Sequence, residues 1–378
     1  MATRHRSLMQ ICVAAGEVSG DQILAPILSR VSESASVTFS GIAGPQMVTA
    51  GTYPLFPMDR LSVMGIMEVL PRIPELLSIR RQMKHYLKAS RPSALITCDA
   101  PDFNLPLCAY AKSLGIPAIH VVSPSVWAWR RHRIPTIAKQ LDRLLCVFPF
   151  EPELYASTGL RCDFIGHPLA ADIAFNPDPE DARRALDLPM NGPILGILPG
   201  SRSAEVKRLL PLFLQVFDRL LDEDPDLVGV IPAASDALYA EIQSKVAGRP
   251  CRVVSGQSRQ VMAASTAVLL ASGTAALESV LTGRPTVAAY RMNPWTYRLV
   301  KGKLETEFVT LPNYLANQAL IPELIQDQAT TQAIVNAIQP QLKEGVSDLF
   351  LAQAQSIHET LTGDVTDRAS DAILDELL

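Results

Sequence analysis

Short apolar runs alternate with helix-length amphipathic segments along this chain, the pattern of βαβ units feeding a parallel sheet. In the first half the runs predict strands at Met9–Ala14, Val37–Ile42, Ala94–Cys98, Ala118–Val122 and Leu144–Phe148. In the second half they predict strands at Ile194–Leu198, Leu227–Ile231, Arg252–Val254, Ala267–Ala271 and Thr286–Ala289. Helices fill the gaps, for example Ala204–Leu221 and Ala275–Leu281. Between the halves, GHPLAADIAFNPDPEDARRAL carries Pro168, Pro177 and Pro179 and reads as a linker ending in a helix start near Asp178. The expected organisation is α/β: two Rossmann-like domains, 1–176 and 177–345, facing one another across a cleft. C-terminal helices follow over 346–378, with a break at Thr362–Asp364.

Length and composition fit that organisation. A chain of 378 residues suits two domains, each able to bury its own core. Hydrophobic residues make up 48% and charged residues 19%, apolar for a soluble protein but far from membrane-spanning. A formal charge of −4 argues against a general nucleic-acid binder, which needs a basic footprint. The six cysteines show no CxxC pair and no metal-ligand spacing with histidine, so they read as reduced structural thiols. The N-terminal apolar run is short and breaks into a Gly/Ser turn, which fits a first strand better than a signal peptide. The uncharged stretch Gln260–Leu277 is interrupted by Ser265, Thr266, Ser272, Gly273 and Thr274. It reads as a buried strand leading into a helix, not a membrane span. The chain is expected to be neither exported nor transmembrane.

Candidate chemistry gathers at strand ends. AGEVSGD, Ala15–Asp21, has small residues at Gly16, Ser19 and Gly20 for a tight strand-to-helix turn, and it lacks the GxGxxG dinucleotide fingerprint. Its plain alternative is a turn with a helix cap. Glu17 lies where an α/β sheet ordinarily binds ligands. In CDAPDFN, Asp99 also falls at a strand's carboxyl end and is the candidate general base, while helix capping accounts for Asp102. An Asx turn is the alternative for Asp99. SPSVWAWRRHR offers two tryptophans and a basic cluster for a sugar face or an anion; packing of Trp127 and Trp129 is the favoured alternative.

The second half carries two similar turns. In LPGSRSAEV, Gly200 and Ser201 open a helix and Arg202 supplies charge; in LLASGTAALE, Ser272, Gly273 and Thr274 do the same, with Glu278 one turn further on. Two such turns in one domain suggest a nucleotide diphosphate gripped by helix N-termini. Neither matches a P-loop, and no DxD-like pair stands nearby, so neither metal nor cofactor is expected.

Between Leu61 and Lys88, the apolar residues Val63, Met64, Ile66, Met67, Val69, Leu70, Ile73, Leu76 and Leu77 precede Arg80, Arg81, Lys84 and Lys88. An apolar surface rimmed by cations suits a membrane interface; a buried helix pair is the alternative. Pro71 and Pro74 predict an interruption of any continuous helix here.

These motifs, with FPFEPELY, FIGHPLA and LPNYLANQALIPELIQ, follow an order that resembles the lipid-A-disaccharide synthases from about Ile11 to about Gln326. The resemblance implies a GT-B glycosyltransferase, a hexosyltransferase of lipid A (lipopolysaccharide) biosynthesis. The implied reaction is inverting transfer from UDP-2,3-diacylglucosamine to 2,3-diacylglucosamine 1-phosphate, giving a β-1,6 disaccharide and UDP. It implies a UDP site in the C-terminal domain and an acceptor site in the N-terminal one. By motif, Asp99 is the base, Arg202 a diphosphate or acceptor-phosphate contact, Glu278 and Asn313 nucleotide contacts, and Glu17 a cleft residue. It further implies a cytoplasmic protein held peripherally at the inner membrane, and homodimers that exchange C-terminal segments. Departures at Ala43, Tyr314 and Asn317 bear on donor geometry and acyl preference. The rivals are another GT-B N-acetylglucosaminyl transferase, a UDP-sugar epimerase and a nonenzymatic nucleotide-sugar binder. The first two lack their glycine-rich or GTRPE-like openings here, and intact Asp99 speaks against the third.

Overall fold

A computed structural model describes residues 8–61, 66–127, 130–292 and 306–377, the side chains of 66–70 excepted. The chain divides into two compact units, one formed by Met1–Pro168 with Leu361–Leu378, the other by Leu169–Thr360.

The first unit holds a parallel sheet of β1 (Met9–Ala15), β2 (Val37–Ala43), β3 (Thr52–Pro57), β4 (Ala94–Cys98), β5 (Ala118–Val121), β6 (Arg143–Cys146) and β7 (Arg161–Phe164). Their order is β3-β2-β1-β4-β5-β6-β7. Strands such as β4 are largely apolar because helices cover both faces, and all five of its residues are buried. The second unit repeats the plan with β8 (Ile194–Leu198), β9 (Val228–Ala233), β10 (Cys251–Ser255), β11 (Ala267–Leu270), β12 (Thr286–Tyr290) and β13 (Glu323–Ile325), ordered β10-β9-β8-β11-β12-β13. Helix Ser203–Glu223 buries Val206, Leu209, Leu210, Phe213, Phe217 and Leu220, a stripe at helical spacing that packs into this unit's core.

All ten strands expected from the apolar runs are present, with ends shifted by up to two residues. β3, β7 and β13 were not expected, and each lies at a sheet edge. Three further expectations need correction. The units divide at Pro168/Leu169 and not at Asn176, because the Asn176 side chain accepts a bond from Arg284 at 2.8 Å and so belongs with the second unit. The helix start at Asp178 stands, capped by the Asp178 carboxylate accepting from the Glu180 N–H. The C-terminal helices are not one module: Asp348–Leu361 goes with the second unit, while Val365–Leu377 packs on helix Val18–Ser34 of the first. There Arg143, almost fully buried, donates to Asp163, to Asp375 and to the Ala372 carbonyl. Finally, helix Ile66–Ser90 runs unbroken through Pro71 and Pro74. Its buried face of Ile79, Met83 and Leu87, spaced at i, i+4 and i+8, secures it against the lost backbone bonds.

Candidate active site

Both sheets have one place where the strand order reverses, and there the carboxyl ends of two adjacent strands leave a crevice. In the second unit that place lies between β8 and β11, whose neighbours run outward in opposite directions. β8 delivers Gly200, Ser201 and Arg202 to the start of helix Ser203–Glu223. β11 delivers Ser272, Gly273 and Thr274 to the start of helix Thr274–Leu281. The two turns line one cavity of about 400 Å³, together with Glu205, Ser258 and Glu278, a size suited to a small ligand. Unbonded N–H groups at the first turn of each helix face such a crevice and favour an anion.

Gly200 takes a left-handed φ of +121°, and a Cβ there would meet the Glu205 carboxylate at 2.7 Å. Glycine is thus required for the backbone to pass beside Glu205. Arg202 pairs with Glu205 at 3.5 Å and is otherwise exposed, so its guanidinium is available to a ligand. Glu278 is held by Arg259 at 3.4 Å, and burial raises its carboxyl above the ordinary range against that arginine's pull.

In the first unit the reversal lies between β1 and β4. Glu17 and Ser19 follow β1, and Asp99 follows β4. Ser19 Oγ donates to Asp99 Oδ2 at 2.8 Å. Burial raises the Asp99 carboxyl, the Ser19 bond opposes that, and the charge of Glu17 adds to it. Asp99 and Ala100 both have positive φ, 55° and 41°, a strained pair for residues other than glycine. The turn presses so closely on the first loop that a Cβ on Gly16 would lie 2.2 Å from Ala100 Cβ. Asp21 instead fastens the neighbouring loop, its carboxylate accepting from the Gln46 and Met47 N–H groups.

Of the residues singled out from sequence, Glu17, Ser19 and Asp99 meet in the first unit, and Gly200, Ser201, Arg202, Ser272, Gly273, Thr274 and Glu278 in the second. Asn313 does not join them. It is buried, its amide donating to the Ile321 carbonyl and to Glu323 and accepting from the Ile321 N–H. These bonds hold Asn313 against Ile321 and Glu323. Trp127 is buried edge-on to Phe150 at 5.8 Å, in line with packing, and Trp129 falls outside the described residues. Asp102 pairs with Arg133 at 3.0 Å.

Among the apolar residues of Leu61–Lys88, Ile73 and Leu77 are exposed, and Leu76 packs partly on the core. Val63 and Met64 fall outside the described residues, as do the side chains of Ile66, Met67 and Leu70. No described helix is long and apolar enough to cross a membrane. Sequence reasoning missed Glu205 and Arg259, which hold Arg202 and Glu278, and Asn104 beneath Asp99. For Glu205 there was a signal, since it lies three residues after Arg202 on the same helix.

The family model described as lipid-A-disaccharide synthetase matches residues 11–371. The chain is 40% identical over 370 residues to the lipid-A-disaccharide synthase of Cellvibrio japonicus, covering 97% of this chain and 96% of that one. It is 43% identical over 373 residues to the synthase of Pseudomonas putida, covering 97% and 98%. Among solved structures it is similar to MurG of Acinetobacter baumannii (TM-score 0.58, 13% identity, 97% and 99% covered). It is also similar to the calicheamicin glycosyltransferase CalG4 (TM-score 0.61, 14% identity, 98% of each). UDP-GlcNAc 2-epimerase from Neisseria meningitidis, solved with UDP-GlcNAc, gives a TM-score of 0.60 at 12% identity, with 98% and 99% covered. At these identities the structures speak for the fold, that of the GT-B glycosyltransferases.

Proposed function

We infer the reaction from the premise that this chain belongs to the lipid-A-disaccharide synthetase family. It is a hexosyltransferase of the GT-B fold that forms the lipid A disaccharide. The donor is UDP-2,3-diacylglucosamine, the acceptor 2,3-diacylglucosamine 1-phosphate. The acceptor hydroxyl attacks the donor's anomeric carbon from the side opposite the diphosphate. The bond from that carbon to the diphosphate oxygen breaks, UDP leaves with the electron pair, and the configuration inverts to β.

Asp99 takes the hydroxyl proton. Its raised carboxyl supports this role, since a base titrating nearer neutrality is the better proton acceptor. The diphosphate lies across the turns Gly200–Arg202 and Ser272–Thr274, where helix N–H groups and Arg202 stabilise the departing charge. Glu278 accepts from the ribose hydroxyls. One observation carries the donor half: both turns open into a single cavity at the strand-order reversal of the second sheet.

The protein works at the cytoplasmic face of the inner membrane. Exposed Ile73 and Leu77, on the helix that bears Arg81 and Lys88, support contact with anionic lipid.

Thermal denaturation with UDP tests the donor site. UDP is expected to raise the melting temperature of the wild type and to leave Gly273→Trp, which fills the cavity mouth, unmoved. Equal stabilisation of both proteins would place UDP elsewhere.

A further inference from the structure

We propose that Asn104 is a positioning residue for the reaction, the side chain that holds Asp99 in its strained turn. The proposal rests on the reading of Asp99 as the base. Asn104 is the fourth residue of helix Pro101–Ser113 and is fully buried. Its Nδ2 donates to the Asp99 carbonyl at 2.8 Å, to the Cys98 carbonyl at 3.0 Å and to the Ala14 carbonyl at 3.4 Å. One amide thus ties together the carboxyl ends of β1 and β4 and both peptide units that enter the left-handed turn.

Asn104 Oδ1, in contrast, has no hydrogen-bond partner. A buried acceptor left unpaired is unfavourable, so the amide is held here for its donors and not for its oxygen. The orientation is fixed by its surroundings: turned over, the amide oxygen would face three carbonyl oxygens. The donors are what this position supplies. Asp99 and Ala100 need them, because two consecutive non-glycine residues at positive φ persist only where surrounding structure over-determines them. The result is a half-buried carboxylate aimed at Ser19, with Gly16 leaving the room that Ala100 occupies.

The test compares Asn104→Leu, which keeps the volume and loses both donors, with Asn104→Ser, which keeps one donor, each checked for folding by circular dichroism. Misplacing a catalytic group by about 1 Å costs up to about a hundredfold, so kcat is expected to fall about tenfold to a hundredfold in Asn104→Leu, with KM for both substrates unchanged. Asn104→Ser is expected to fall between that variant and the wild type. The acid limb of the kcat profile is expected to move to lower pH, because a released Asp99 reaches water and loses the burial that raises its pKa. In an Ala100→Gly background, where the left-handed turn carries no side-chain penalty, the loss caused by Asn104→Leu is expected to shrink.

A folded Asn104→Ser or Asn104→Leu with wild-type kcat and acid limb would overturn the proposal. So would a loss carried by KM alone, or an equal loss in the Ala100→Gly background. Should Asn104→Leu not fold, the serine variant decides. Asp99→Asn separates the two claims: wild-type kcat in that variant defeats the base reading. An inactive Asp99→Asn beside unaffected Asn104 variants defeats only the positioning.

Discussion

Ser19 and Asp99, 80 residues apart in the chain, meet through a 2.8 Å hydrogen bond at the carboxyl ends of adjacent strands. The serine stabilises the ionised carboxylate, and the neighbouring Glu17 destabilises it. Removing each should therefore move the same titration in opposite directions. In Ser19→Ala the Asp99 pKa rises, so the acid limb of kcat shifts to higher pH and activity below neutrality falls. In Glu17→Gln the pKa drops and the limb shifts to lower pH. Rate profiles of the two variants check this, and displacement in the same direction would contradict it.

Arg202 is expected to act on the departing charge more than on donor binding. Arg202→Ala should lower kcat by about a hundredfold to a thousandfold, the loss typical of removing one stabiliser of transition-state charge. Stopped turnover with labelled donor measures it, and a change in donor KM alone would contradict the role.

Gly200 gives a backbone test of the same turn. Gly200→Ala must hold a side chain at φ +121° and push Glu205 aside from 2.7 Å. Strain of about 1–3 kcal/mol falls on the turn, enough to weaken UDP by about tenfold or more where binding needs the native loop. Isothermal titration with UDP reads this directly.

Asn313 gives the contrasting case. Its three hydrogen bonds tie helix Leu311–Ala316 to Ile321 and to Glu323 at the start of β13. Asn313→Ala should cost about 1–3 kcal/mol of stability by leaving buried partners unpaired, while UDP affinity of the folded protein stays unchanged. Urea denaturation and UDP titration together check both halves.

The terminal helix should behave as part of the first unit. Ile373 is fully buried there, and Ile373→Ala should cost about 2–5 kcal/mol in urea denaturation. Arg143 and Arg161 hold the Asp375 carboxyl below its ordinary range near 3.8. A lowered carboxyl stabilises the fold above that range, and the stabilisation is lost as pH falls through the depressed value. Asp375→Asn should thus lower the urea midpoint at neutral pH and leave it nearly unchanged in strong acid.

The interior strands were legible because they are unbroken apolar runs, and the two phosphate-type turns because each follows such a run at once. β3, β7 and β13 escaped notice since an edge strand needs only a partly apolar face: none of the three residues of β13 is fully buried, and β7 begins on an exposed Arg161. Proline misled in helix Ile66–Ser90, where tertiary burial of Ile79, Met83 and Leu87 outweighs local propensity. Asn313 and Asn104 were illegible as fasteners. What distinguishes a buried amide bonded to its own loop from one facing a ligand is three-dimensional, and no spacing rule contains it.

The most direct test of the account is mass spectrometry of the reaction catalysed by the purified wild type and by Asp99→Asn. The substrates are UDP-2,3-diacylglucosamine and 2,3-diacylglucosamine 1-phosphate. The account predicts equal amounts of UDP and β-1,6-linked tetraacyl disaccharide 1-phosphate from the wild type, and loss of both from the variant at undiminished UDP affinity. UDP without disaccharide, or a wild type that yields neither, would contradict it.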